Sequence, residues 1–191
     1  MNRLTILSMD QIRAQMETNF FGVLAVTRAV LPAMRAAGRG RIVNVTSMGG
    51  RIVLPTGGYY HASKYAVEAL SDALRFEVRP FGITVSIVEP GLIRTGFATV
   101  AADSLAGSGG PEGPYAKLSA TADRVMADSY RSRLLAAEPQ RVAAVVARAA
   151  TTSRPRTRYV VTPAAKALVH TRRLLGGRAF DAYLRAQYRT S

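Results

Sequence analysis

The 191-residue chain contains no cysteine and no tryptophan. Without thiols there is no disulfide framework, no thiolate metal site and no redox switch. Two histidines occur, His61 and His170, and neither has a second histidine, a cysteine or a paired carboxylate at ligand spacing. No metal centre is expected, and neither histidine is assigned a catalytic role. Acids are scarce: 12 stand against 26 basic residues, for a net charge of +14. No apolar run approaches the roughly 18 residues that mark a membrane span. The start, Met1-Asn2-Arg3-Leu4, lacks the charged and apolar regions of a secretory signal. The expectation is cytoplasmic residence.

An apolar content of 48% and this length fit one globular domain with a real core. The positive charge gathers late, with nine Lys/Arg and one acid, Asp181, in residues 153–191. Such a surface attracts phosphates and anionic head groups. Yet Ala164, Leu168, Leu174, Leu175, Phe180 and Leu184 interleave the arginines as in an amphipathic helix, without a stacking ladder or nucleic-acid motif. Nucleic-acid binding is not expected. A solvated basic face is preferred, and interfacial membrane contact is the lesser reading.

Periodicity gives an alternating order of helices and strands. Ser8 and Gln11 form a capping box for a helix from Met9, with Gly38 as its stop and Pro32 expected to bend or end it early. Residues 41–46 read as a buried strand that ends in Ser47-Met48-Gly49-Gly50. A helix at 56–79 closes at Pro80-Phe81-Gly82, and a second strand spans 83–88. Residues 97–115 are rich in Gly, Ala, Ser and Pro. Helices near 119–136 and 139–151, a strand at 158–162 and a basic helical tail at 163–191 follow. The order predicts an α/β fold with a parallel sheet of about three strands.

Tyr60 and Lys64 stand four apart on the second helix and therefore share a face. A phenol titrates near pH ~10 and an ammonium near ~10.4. A fixed positive charge would favour the phenolate and bring it toward useful acid–base chemistry. Ser47 lies at the tip of the preceding strand, where ligands of open α/β sheets bind. Tyr59 competes with Tyr60, but Ser63 occupies the position of its lysine. The plainer readings are a strand-ending Ser47, a Lys64–Glu68 surface pair, an ordinary turn at Pro90-Gly91 and a satisfied polar Asn19. Glu68, Asp72 and Glu77 read as solvated helix charges.

Asn19, Asn44-Val45-Thr46-Ser47, Tyr60-x-x-x-Lys64 and Pro90-Gly91 with Thr95 together resemble the short-chain dehydrogenase/reductase family across residues 5–100. Leu54-Pro55 and Arg158-Tyr159-Val160-Val161 are similar to its steroid- and retinol-dehydrogenase branch. The resemblance implies a Rossmann-like doubly wound sheet and hydride transfer between NAD or NADP and a hydrophobic alcohol or ketone. It implies Tyr60 as general acid or base, Lys64 at the ribose and Ser47 at the substrate oxygen. Asn19 would hold a water linking Lys64 to solvent. Pro90, Gly91, Ile93 and Thr95 would meet the nicotinamide, residues about 97–118 would cover the substrate, and the two long helices would join a homodimer or tetramer.

The family's Gly-rich turn, which cradles the pyrophosphate, is missing. Gly38-Arg39-Gly40, Gly49-Gly50, Gly57-Gly58, Gly107 to Gly110 and Gly176-Gly177 all lack the strand–turn–helix context. About three βα units, on the order of 90 residues, are expected upstream. The chain then reads as the C-terminal portion of a domain, with Met1 internal and weak or no cofactor binding on its own. The alternative is a catalytically inactive fragment that serves as a dimerising module.

Overall fold

A computed structural model describes residues 7–96 and 116–189. Helix α1 (Met9–Met16) passes through a π-helical turn (Glu17–Phe21) into α2 (Gly22–Ala36). The capping box is present, with Gln11 N–H donating to Ser8 Oγ at 3.2 Å and Ser8 N–H to Gln11 Oε1 at 2.8 Å. Pro32 does not end the helix, which runs on to Ala36. Proline deletes one backbone bond, and on this exposed surface solvent can satisfy the carbonyl left behind. Gly38, at φ +62, supplies the left-handed stop.

Strand β1 (Gly40–Val45) follows, then a 3-10 turn (Met48–Gly50) and the long helix α3 (Gly58–Val78). A short 3-10 turn (Arg79–Phe81) leads to β2 (Ile83–Glu89) and the two-residue β3 (Leu92–Ile93). Beyond residue 115 come α4 (Ala116–Arg131), β4 (Ala136–Ala137), α5 (Pro139–Thr151), β5 (Arg158–Val160) and α6 (Pro163–Gln187). The main sheet is parallel in the order β1-β2-β5. A small β3-β4 ladder, not expected from the sequence, lies beside it. The doubly wound expectation holds.

Alternation along β1 sorts the two faces. Ile42 joins Leu74 and Val78 of α3 and Ile83 and Val85 of β2 in one core, and Asn44 donates to Ser71 of α3 at 2.8 Å. On the opposite face Arg41 donates to the carbonyls of Ala149 and Thr152, at 3.3 and 2.5 Å. Its charge thereby meets the C-terminal end of α5, where carbonyls are unpaired and cations are favoured. A second core joins Met48 and Ile52 to Ala165, Val169 and Phe180 of α6. Burying Phe180 contributes about 1.5–3 kcal/mol and ties α6 down beyond its kink at Gly176.

Between these cores lies a charge network. Glu68 is not a solvated helix charge: it is buried, accepts from Thr46 Oγ1 at 2.5 Å and pairs with Arg158 at 3.2 Å. Arg158 also reaches Asp72 at 2.6 Å and Glu89 at 3.1 Å, while Arg51 holds Glu89 at 3.2 Å. Helical spacing had offered Lys64 as the partner of Glu68, but the cation comes from β5, 90 residues away. Glu77 remains exposed as expected.

Removing Arg158 leaves two buried carboxylates short of a partner. Arg158→Met is expected to cost about 3 kcal/mol at neutral pH, measured by urea denaturation. Adding Glu68→Gln to that variant is expected to recover part of the loss. A cost below about 1 kcal/mol would show that the network does not hold β5 to α3.

Candidate active site

Register builds the site. β1 and β2 pair with Val45 opposite Val88, and two further bonds carry the pairing past the strand ends. Thr46 N–H donates to the Val88 carbonyl at 2.9 Å and Met48 N–H to the Pro90 carbonyl at 2.7 Å. Ser47 therefore leaves the sheet beside Pro90. Its Oγ accepts from Gly49 N–H at 3.0 Å, capping the 3-10 turn. That bond occupies an acceptor position on the hydroxyl and leaves its hydrogen to act outward.

Helix α3 brings the phenol. Tyr60 lies half-buried in its first turns and hydrogen-bonds the Ser47 side chain. Burial pushes the phenol above its ordinary pKa, and the Ser47 hydrogen bond pulls partly back. Lys64 does not produce the depression expected of it. Its Nζ stands 5.8 Å from the centre of the Tyr60 ring and donates to the Val45 carbonyl at 3.4 Å. Burial lowers the pKa of Lys64 itself, toward the neutral amine. At neutral pH the arrangement keeps Tyr60 as a phenol, a proton donor.

Asn19 sits on the π-helical turn and donates to Ser63 Oγ at 3.0 Å. Ser63 Oγ in turn donates to the Tyr60 carbonyl at 2.7 Å. Asn19 thus reaches the backbone of Tyr60 through Ser63. Its side-chain amide bonds α3 directly, and π-turns of this kind are frequent at functional sites.

Pro90, Ile93 and Thr95 share an apolar cavity of about 570 Å³ with Val142 and Val146 of α5. Ser47, Tyr60 and Lys64 do not line it. Gly91 answers to an internal contact: a Cβ there would lie 2.2 Å from Thr162 Oγ1 and 3.0 Å from Ala165 Cβ. Thr162 Oγ1 caps α6 by accepting from Ala165 N–H at 3.1 Å. Of residues 97–118, where a loop covering the substrate is expected, 97–115, including Phe97, lie outside the described residues, and 116–118 instead open helix α4.

The sequence reading did not single out Tyr130, and it gave His61 no role. Tyr130 of α4 approaches Tyr60: burial first, then the Tyr60 charge, push its phenol upward. His61 is buried and bonded through both ring nitrogens, to Gly49 and to Leu54. The signal for His61 was available in Gly49 and Gly57, since a Cβ at either would fall within 3 Å of its ring.

Comparison with known proteins shows the family. A family model described as short chain dehydrogenase matches residues 2–105. An uncharacterized oxidoreductase of Escherichia coli K12, YbbO, is 37% identical over 181 residues, covering 95% of this chain and 61% of that protein. Human 17-beta-hydroxysteroid dehydrogenase type 6 is 48% identical over 94 residues, 49% of this chain and 29% of that one. A solved short-chain dehydrogenase from Streptomyces avermitilis matches with a TM-score of 0.70 at 29% identity, covering 95% of this chain and 61% of the other. The chain thus spans between 29% and 61% of the length of these proteins.

The role of Gly91 is testable through α6. Gly91→Ala is expected to displace the Thr162 cap and cost about 1–3 kcal/mol in chemical denaturation. A variant of unchanged stability would refute the internal reason for glycine at this position.

Proposed function

The chain belongs to the short-chain dehydrogenase family, in its steroid- and retinol-dehydrogenase-like branch, and from that premise we propose that it carries the catalytic half of an oxidoreductase interconverting a hydrophobic secondary alcohol and its ketone. The observation that carries the reading is the Ser47–Tyr60 hydrogen bond at the tip of β1. It sets a serine hydroxyl and a buried phenol side by side, where both can turn to one substrate oxygen.

The cofactor is proposed to be NAD or NADP. The residues present fit its nicotinamide end in part: Pro90, Ile93 and Thr95 form one wall of an apolar cavity, of a size usual for ligand sites. For the pyrophosphate no glycine-rich turn exists in this sequence. When bound, such a cofactor supplies or accepts the hydride.

The chain's own groups do the rest. In reduction, Tyr60 gives its proton to the carbonyl oxygen, and its raised pKa keeps that proton available at neutral pH. Ser47 donates to the same oxygen as charge develops there. Lys64, at the Val45 carbonyl beside Tyr60, is assigned to the ribose, and Asn19 positions α3 through Ser63. In oxidation, Tyr60 must first lose its proton, so this direction favours alkaline pH. The branch supports a hydrophobic substrate.

A homodimer through α2 and α3 is part of the proposal. Val26 and Phe76 are 66% and 70% exposed there, and Ala62, Ala69 and Ala73 of α3 are exposed as well. Small and apolar residues on adjoining helices suit close packing. The same face would serve a dimerising module without catalysis, which remains the second reading. Among the described residues no helix is long and apolar enough to cross a membrane.

The test is turnover of hydrophobic secondary alcohols and ketones with each nicotinamide cofactor, followed by cofactor absorbance. Tyr60→Phe is expected to lower the rate at least about a hundredfold. Alcohol oxidation is expected to rise with pH into the alkaline range, and Ser47→Ala to move that rise further alkaline. Activity retained within about threefold in Tyr60→Phe would remove the phenol from the reaction.

A further inference from the structure

His61 follows Tyr60 on α3 and is 6% exposed. Leu54 N–H points at its Nε2 across 3.2 Å. That nitrogen must accept, so the ring hydrogen sits on Nδ1. Nδ1 then donates to the Gly49 carbonyl at 2.9 Å. A second hydrogen, on Nε2, would confront the Leu54 N–H. The arrangement requires a neutral ring, and burial lowers the pKa of His61 accordingly, with the Gly49 carbonyl pulling the other way.

The groups that face the ring are the backbone of Gly49, Leu54 and Gly57 and the aromatic ring of Tyr60, 5.7 Å away and edge-on. Glycine makes the room. A Cβ on Gly49 would stand 2.6 Å from Nδ1, and one on Gly57 would stand 2.7 Å from Nε2. Between Leu54 and Gly57, Thr56 holds φ at +71. A β-branched residue in that left-handed region costs about 1–3 kcal/mol and persists only where its surroundings hold it.

These bonds close a circuit. His61 holds Gly49 through its carbonyl, and Gly49 N–H holds Ser47 Oγ at 3.0 Å. Ser47 meets Tyr60, the residue that precedes His61 on the helix. We propose that His61 is a positioning residue: as a neutral imidazole with its hydrogen on Nδ1, it fixes the 48–57 segment against α3 and so holds the Ser47 hydroxyl at the Tyr60 phenol. The inference rests on the proposed reaction for its catalytic meaning, while its geometry is measurable without turnover.

Nitrogen-15 spectra of the histidines test the ring, with His170→Gln removing the other set of signals. The expected result at neutral pH is one hydrogen, on Nδ1. His61→Phe keeps an aromatic ring and deletes both bonds. In that variant the Gly49 and Leu54 amides are expected to exchange about tenfold faster or more, with the middle of α3 unchanged. The kcat is expected to fall about tenfold and KM to stay within about threefold, as when a group acts in the transition state. His61→Gln, whose carboxamide has an NH2 group to donate and an oxygen to accept, should restore most of both. A hydrogen on Nε2, a charged ring at neutral pH, unchanged exchange, or faster exchange with unaltered kcat would each overturn the inference. If the unaltered protein shows no turnover, the proposed reaction falls, and the spectra and exchange rates still decide the role of His61.

Discussion

The parallel register between β1 and β2 is the constraint from which the rest follows. Val45 opposite Val88 is the last pair of the ladder, and two backbone bonds extend it to Met48 and Pro90. Ser47 leaves the sheet at a fixed point for that reason. A slip of one residue would exchange the faces of β1. Ile42 and Asn44 would turn away from α3, and Arg41 would lose the end of α5. The arrangement of donors at the strand tips is thus a product of sheet pairing first and of side-chain chemistry second.

A second tie runs crosswise. Arg158 of β5 draws together Glu68 and Asp72 of α3 and Glu89 at the end of β2. Burial pushes the Glu68 and Glu89 carboxyls upward, and Arg158 and Arg51 pull them back. Glu89 is fully buried, and its Oε2 has no hydrogen-bond partner among the described residues. Such a cluster brings little net stability compared with an apolar filling of the same volume. What it gives is placement, because α3 carries Tyr60 and Glu89 directly precedes Pro90.

Much of this was legible in the chain. The main strands begin and end within a residue or two of their periodic patterns, and α5 is marked by Pro139 and its apolar repeat. Order and spacing singled out Ser47, Tyr60 and Lys64, and the structure sets these side chains next to one another. The π-turn around Asn19 carries no such mark. Two-residue strands have no period to read, so β3 and β4 went unseen. Glu68 was misread because helical spacing identifies a face and not what covers it. The behaviour of Lys64 was misjudged for a related reason: proximity along a helix fixes Cβ positions, while the ammonium at the end of a long stem took a backbone carbonyl instead.

The crosswise ion cluster also has its own dependence on temperature. Hydration of charged groups becomes less favourable as temperature rises, so the desolvation penalty shrinks just where apolar burial stops gaining. The contacts made by Arg158 therefore carry a growing share of cohesion in warm solution. The guanidinium that makes these contacts sits on the shortest strand of the main sheet, 90 residues along the sequence from the carboxylate of Glu68.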